Sequence, residues 1–232
     1  MNWKAILHRL RGLPRTLAEC ERSLQTLGTL RDVGWQKSVR AGRALGPDGQ
    51  SLPWWTYPAI EWIRARVRKT DRVFEYGCGS STLWLAAHAA SVVSVEHDRV
   101  WFERIGKLLP TNAAIQFRPA GAEEADDVAA PYARAILDQA EPLDIVVIDG
   151  MERNACARLA VEKLADDGLI VFDNSHRTKY REGMAALSRS GLWRVDFDGL
   201  VPASGVRSVT SVFGRKLGRW LDSAIPLVDV GT

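Results

Sequence analysis

The run RVFEYGCGSS, Arg72 to Ser81, followed at once by TLWLAAHAA from Thr82, decides the fold. Val73 and Phe74 lead to the acidic Glu75, then come Gly77, Gly79 and Ser81, and the residues from Thr82 onward have the pattern of a helix. The implied order is strand, glycine loop, helix. Glycines allow a tight turn and a close backbone approach to a ligand, and the first turn of the helix leaves N–H groups unpaired. A bare G-x-G also occurs in ordinary turns, so the loop takes its meaning from the strand after the helix. SVVSVEHD is an apolar run ending at Glu96, 21 residues after Glu75. At that spacing the second strand of a doubly wound sheet presents a carboxylate to a ribose.

Composition sets the wider frame. The chain has 232 residues, 46% hydrophobic and 25% charged, enough for one domain with an extension. Cys20, Cys78 and Cys156 are odd in number, widely spaced and form no CxxC, which argues against a disulfide framework or a zinc knuckle. No apolar run reaches the roughly 20 residues that span a bilayer, and the amino terminus lacks a signal-peptide core, so a soluble protein is expected, and the cysteine usage fits a reducing cytoplasm. The net charge of +3 is unevenly placed: residues 1–46 hold nine Lys/Arg against three Asp/Glu, leaving the remainder at −3. That bias could meet phosphate or an anionic membrane, although a solvated helix face is its commoner meaning.

Working outward, Leu10, Leu13, Leu17, Cys20, Leu24 and Leu27 recur at steps of three and four, one face of a helix that Pro14 kinks or restarts. The favoured reading packs this arm on its own domain; a short dimerising coil or a membrane-surface helix are the others. Gly46-Pro47-Asp48-Gly49 is a turn separating arm from body. In SLPWWTYPAIEWIRARVRK, Pro53 and Pro58 bracket Trp54, Trp55 and Tyr57 ahead of a helix carrying Ile60, Ile63 and Val67. These aromatics are a pocket lid or packing anchors.

Beyond the second strand, Arg99 to Leu109 has helical spacing and Ala114 to Phe117 is a third strand. LDIVVID is a continuous apolar run of the kind a doubly covered parallel strand needs, and it ends at Asp149-Gly150. A helix follows from Arg153 to Leu164 with Ala157, Ala160 and Val161 inward, stopped at Asp167-Gly168. Leu169 to Phe172 is a fifth strand ending in Asp173-Asn174, so two strands deliver acidic side chains to the edge where open α/β sheets bind ligands. After a further loop and helix, Trp193–Phe197 and Ser208–Phe213 are two late strands. The segment RKLGRWLDSAIPLVDVGT carries no assignable signal.

E-x-G-x-G with an acidic second strand end resembles the Rossmann-like (class I) S-adenosylmethionine-dependent methyltransferases. The run from Pro53 to Phe213, with PWWTYPAIEWI, FEYGCGSSTLWLA, VVSVEHD, IVVIDG and VFDNS, is similar to bacterial members of that class. The resemblance implies an α/β fold: a doubly wound, mostly parallel seven-stranded sheet whose last two strands form an antiparallel hairpin, with an amino-terminal helical extension. It divides the chain into a basic helical arm (1–46), a cofactor-binding methyltransferase domain (47–214) and a tail (215–232).

In S-adenosyl-L-methionine binding, the resemblance places Glu75, Gly77, Cys78, Gly79 and Ser81 by the methionine moiety, Glu96 on the ribose hydroxyls, and His97, Ala122 and Glu123 near the ribose or adenine. Asp149 lies by the methionine end or the acceptor. Asp149 with Asp173-Asn174 looks like the Mg2+-binding pattern of catechol-type O-methyltransferases, whose hard oxygen ligands suit that ion. The sequence departs from that pattern in Gly150-Met151-Glu152-Arg153, which lacks the base lysine three residues after the aspartate. His176 is then the expected general base, with Lys179 and Tyr180 as alternatives.

The expected activity is methyl transfer to a small molecule, foremost to an oxygen and with magnesium as a possible aid. No nucleic acid is expected, since the body is net acidic and no helix carries a basic stripe with interleaved aromatics. A homodimer through the arm is a further expectation. Two other classes stay open. A nicotinamide-dependent oxidoreductase would share Glu96 but usually has an apolar residue at position 75 and glycine at position 81. A non-catalytic module would use the arm for binding and keep a vestigial pocket.

Overall fold

A computed structural model of the chain describes residues 16–221. Helix α1 (Leu17–Asp32) opens on a complete capping box, in which Thr16 accepts the Glu19 amide and Glu19 accepts the Thr16 amide, each at 3.1 Å. Gly34 and Gly42, both with left-handed φ, bracket α2 (Trp35–Ala41). Helix α3 (Tyr57–Arg64) starts with Pro58 in its first turn, where a missing N–H costs nothing. Then come β1 (Arg72–Tyr76), α4 (Ser80–His88), β2 (Ser91–Glu96), α5 (Arg99–Gly106), β3 (Ala113–Phe117), the single turn α6 (Pro131–Arg134) and β4 (Leu143–Ile148). The chain continues through α7 (Arg153–Lys163), β5 (Leu164–Asp173), α8 (Arg181–Arg189), β6 (Trp193–Leu200), β7 (Arg207–Gly214) and the turn α9 (Gly218–Leu221).

The strands form one seven-stranded sheet in the order β3-β2-β1-β4-β5-β7-β6. Strands β1 to β5 run parallel, and β7 is antiparallel to both β5 and β6. Order reverses between β1 and β4, the switch point at which such sheets hold ligands. Period-two alternation divides the apolar strand residues between two cores. Phe74, Val146, Ile148, Ile170 and Phe172 pack with Tyr132, Ile136, α7 and α8 on one face. Val73, Ile145, Val147, Leu169 and Val171 pack with Trp55, Ile60, Ile63, Trp84 and Trp220 on the other.

The doubly wound sheet with its closing hairpin is as the sequence implies, and several boundaries move. Helix α7 ends at Lys163, and Asp167-Gly168 lies inside β5, which starts at Leu164 and re-registers against β4 between Leu143 and Ile145. A Cβ on Gly168 would stand 2.7 Å from Leu164 Cδ1 and 2.9 Å from the Leu143 carbonyl oxygen, so the glycine serves this close hook rather than a helix stop. The expected α5 face is largely exposed: only Ile105 in it is buried, while Val100 and Leu108 face solvent. The arm also departs from the favoured reading. Helix α1 buries no residue, and Leu17 and Leu24 are 90% and 67% exposed, so the described part of the apolar face, from Leu17 to Leu27, does not pack on the domain. Leu10, Leu13 and Pro14 lie outside the described residues.

Packing crosses both expected domain boundaries. Ser38, Ala44 and Leu45 are buried, and Trp35 Nε1 donates to the Ser204 carbonyl at 2.8 Å. In the segment without a sequence signal, Trp220 is fully buried, stacks on Trp62 at 5.9 Å and donates Nε1–H to the Asp167 carbonyl at 2.6 Å. Beside it, the nearly buried pair Arg219–Asp71 closes at 2.6 Å.

Trp220→Ala therefore removes a large core side chain together with a hydrogen bond, and urea unfolding should show a loss of about 3–5 kcal/mol. Leu24→Ser on the exposed face of α1 should change stability by less than about 0.5 kcal/mol.

Candidate functional site

The carboxyl ends of β1, β2, β4 and β5 converge at the switch point, and the glycine loop is shaped to let them do so. Gly77 has φ 89°, and a Cβ there would stand 3.0 Å from Gly150 Cα and 3.2 Å from the Asp149 carbonyl oxygen. A Cβ on Gly150 would overlap the Tyr132 hydroxyl. The loops after β1 and β4 thus touch through bare backbone, which only glycine permits.

Two glutamates fix that loop from opposite sides. Glu75 is fully buried beneath it: Oε2 accepts from Thr82 Oγ1 at 2.5 Å and Ser94 Oγ at 2.7 Å, and Thr82 Oγ1 in turn accepts the Gly79 amide at 2.9 Å. Ser81 lies close enough to lower its pKa but not in hydrogen-bonding geometry, so Glu75 Oε1 has no partner. Burial, aided by the nearby Asp149 charge, pushes the Glu75 carboxyl up to about 7. Glu96 holds the loop from the other side. Its Oε2 accepts the Cys78 amide at 3.1 Å, and its Oε1 accepts the His97 and Asp98 amides at 2.8 Å. His97 Nδ1 lies 2.9 Å from the same oxygen, and Trp101 Nε1 closes the loop with a 2.6 Å bond to the Cys78 carbonyl.

Above the loop lies a hollow of about 380 Å³ lined by Gly77, Cys78, Ser81, Glu96, His97, Asp98, Trp101, Glu123, Asp149, Gly150, Met151 and Arg153. Of the expected cofactor residues, Gly77, Cys78, Ser81, Glu96, His97, Glu123 and Asp149 line it. Glu75, Gly79 and Ala122 do not; Glu75 lies under the loop, and Ala122 offers its carbonyl to the Glu152 and Ala125 amides. Burial first, then the adjoining Glu96, raises the Cys78 thiol, which keeps it neutral. Four carboxylates and one guanidinium make the lining acidic.

A second cavity, about 520 Å³, is lined by Trp54, Asp149, Asp173, Asn174, His176, Arg177, Val201, Ser204, Val206, Arg207 and Ser208. Asp149 is the residue common to both linings. Of the aromatics read as lid or anchor, Trp54 is half-exposed in the lining of this cavity while Trp55 is fully buried as a packing anchor. The Thr56 amide donates to Thr210 Oγ1 at 3.1 Å, and the Thr56 hydroxyl to the Phe197 carbonyl at 3.0 Å, pinning the segment to the closing hairpin.

Arg153, which the sequence reading passed over except as the absence of a lysine, is the hub between the cavities. Its buried guanidinium donates to the carbonyls of Gly150 at 2.8 Å, Asp173 at 2.7 Å and Asp149 at 3.0 Å, and to Asp149 Oδ1 at 3.0 Å. It lies over the Tyr180 ring, 4.9 Å from the centroid. Asp149 is raised by burial and lowered by Arg153. Burial and the Asp149 charge lift Asp173 to about 8, although its Oδ1 accepts the Thr210 hydroxyl at 2.6 Å. Asp149, Asp173 and Asn174 thus share one wall, with Asn174 at φ 54° donating Nδ2 to Ser208 Oγ at 3.0 Å. Two carboxylates and an amide oxygen are hard donors that suit Mg2+. Among the described residues no cluster of three or more His, Cys, Asp or Glu forms a metal site.

The expected bases stand differently. Lys179 does not line the second cavity; its ammonium donates to Glu123 at 2.5 Å, and the buried Tyr180 hydroxyl donates to the same carboxylate. Both are spent on structure, because Glu123 also faces Arg153 at 3.7 Å and Arg177 at 3.5 Å. His176 lines the cavity, but its Nδ1 accepts the Val209 amide at 3.2 Å, which places the neutral ring's proton on Nε2 and makes that atom a donor.

No protein-family model and no curated protein matches this chain. Solved structures do. A proposed O-methyltransferase from Klebsiella pneumoniae superposes with TM-score 0.52 at 16% identity, over 80% of this chain and 89% of that one. A methyltransferase from Geobacter sulfurreducens gives 0.50 at 15% identity, over 93% and 98%. The fold is that of the class I methyltransferases. Spermidine synthase from Thermotoga maritima matches at 0.51 and 12% identity, this chain covering 68% of its own length and 57% of the synthase. At such identities the likeness fixes the architecture, and the chemistry rests on the site. No helix among the described residues is long and apolar enough to cross a membrane.

The raised Glu75 carboxyl links stability to pH. Its pKa is higher folded than unfolded, so the native state holds the extra proton and stability falls as pH rises from about 4.5 to about 7. Glu75→Gln mimics the protonated form. It should exceed wild type in urea unfolding at about pH 8 by up to about 3 kcal/mol, and match it within about 1 kcal/mol at about pH 5.

Proposed function

We propose that this protein transfers a methyl group from S-adenosyl-L-methionine to a small-molecule acceptor, foremost to an oxygen. The observation that carries the reading is a pair of hollows sharing the wall at Asp149, one over the glycine loop for the donor and one beneath Trp54 for the acceptor. An in-line displacement needs donor and nucleophile brought together across such a wall, and alignment is the protein's main contribution. Charge favours a sulfonium over a dinucleotide: Glu96, Asp98, Glu123 and Asp149 against Arg153 would attract a cation and repel a pyrophosphate.

In this reading Glu96 receives the ribose hydroxyls, His97 and Glu123 flank the nucleoside, and Gly77, Cys78 and Ser81 border the methionine part. Glu75 and Gly79 act through the loop they hold. The acceptor hydroxyl meets Asp149 and Asp173. Asp173, a carboxyl lifted to about 8 on the cavity wall, is the group suited to take its proton near neutral pH. Asp149, Asp173 and Asn174 would hold magnesium if it assists; the ion would polarise the acceptor oxygens. A cavity of this size takes a metabolite rather than a nucleic-acid strand.

Calorimetric titration with S-adenosylhomocysteine should show one site per chain, and Glu96→Ala should weaken it roughly ten- to a hundredfold. Failure of the wild type to bind, or unchanged binding by the variant, would contradict the donor site. Once an acceptor is known, EDTA should abolish turnover, and added Mg2+ restore it, if the ion grips the acceptor. Turnover indifferent to EDTA leaves proton removal to Asp173 alone.

A further inference from the structure

The lining of the acceptor cavity sorts into three parts. Asp149 and Asp173 make the wall next to the donor hollow. Trp54, 47% exposed, with Val201 and Val206 offers an apolar surface. The rest is a set of hydrogen-bond donors. His176 keeps its proton on Nε2, because Nδ1 accepts the Val209 amide. Ser208 Oγ accepts from Asn174 Nδ2, which leaves its own hydroxyl hydrogen to give. Arg177 and Arg207 add two guanidiniums, whose partners Glu123 and Asp198 stand outside this lining.

The register of the hairpin separates donors from aspartates. Asp173 pairs with Thr210, and Ser208 and Arg207 precede Thr210 by two and three residues on β7. An extended strand rises about 3.3 Å per residue, so Ser208 and Arg207 lie roughly 7–10 Å along β7 from the Asp173 partner, about the length of one substituted ring, whereas Arg177, paired with Glu123 of the other hollow, stands on the Asp149 side. Asp149 is paired with Arg153 from the neighbouring hollow and Arg207 with Asp198 at 2.7 Å, so the donor end offers N–H and O–H groups beside charges that are already balanced.

We propose that the acceptor is a flat-ringed molecule bearing an oxyanion, carboxylate or phosphate, opposite the group that is methylated. The ring lies on Trp54 and the oxyanion is received by His176 Nε2, the Ser208 hydroxyl and Arg207. The proposal rests on the methyltransferase reading, because it takes the Asp149 wall as the reacting end. Cation and donor clusters of this kind recognise oxyanions through charge-assisted hydrogen bonds, and a half-exposed indole offers a ring face to stack on.

The test uses protein loaded with S-adenosylhomocysteine and titrated by calorimetry with para-hydroxybenzoate, para-hydroxyphenyl phosphate and the neutral para-hydroxybenzyl alcohol. At least one of the two anions should bind about tenfold or more tighter than the alcohol, the tighter one naming the oxyanion. The variant Arg207→Gln should abolish that preference while leaving the alcohol's affinity within about twofold. Trp54→Ala should weaken all three ligands together. Equal affinity for anions and alcohol, a preference that survives Arg207→Gln, or no binding of any of the three overturns the proposal. Failure of the wild type to bind S-adenosylhomocysteine is a separate outcome that overturns the underlying reading as well.

Discussion

A single buried guanidinium holds the carboxyl ends of two neighbouring parallel strands in place. Arg153 donates to backbone carbonyls at the end of β4 and at the end of β5, and pairs with the Asp149 side chain. The hydrogen-bond ladder of a parallel sheet stops at those ends, and their carbonyls need donors from elsewhere. Removing the guanidinium would strand them together with a desolvated carboxylate, a loss on the order of 3–5 kcal/mol. The residue that completes the sheet edge is therefore also the one that sets the charge between the two hollows. Glu152, buried just before it at φ 51°, holds the facing loop through the Gly121 and Ala133 amides.

On the β1 side, neighbouring carboxylates divide the labour. Glu75 works from below through Thr82 to the Gly79 amide, and Glu96 from the side through the Cys78 amide. Glu75 is sealed from solvent, and desolvation raises its carboxyl to about 7. Glu96 remains at the lip of the hollow, where it accepts three backbone N–H groups. The pairing explains why one loop has two acids: one builds the turn, and the other lines the hollow.

The strand order and both acidic strand ends were legible because buried parallel strands write themselves as apolar runs, and a glycine loop between two of them has few other meanings. The division of roles was less so. Nothing in E-x-G-x-G says that Glu75 turns under the loop; that follows from Thr82 and Ser94, hydroxyls that look like ordinary helix and strand residues until the fold brings them together. Arg153 was hidden similarly, although an arginine four residues after a strand-end aspartate, at the start of a helix, is a signal that could have been read. His176 lines the second cavity beside Asp173 and Asn174, yet its tautomer depends on a β7 amide 33 residues away. Trp220 had no signal because its partner Trp62 lies on a distant helix, and the exposed face of α1 shows that helical periodicity predicts an element better than it predicts what covers it.

The central claim is that Asp149 stands between a donor hollow and an acceptor cavity. A crystal structure of the protein grown with S-adenosyl-L-methionine tests it most directly. The adenosyl group should lie over the glycine loop with its ribose at Glu96, and the sulfonium methyl should point past Asp149 into the cavity beneath Trp54. A methyl directed away from that cavity, or a loop hollow left empty at saturating cofactor, would contradict the account.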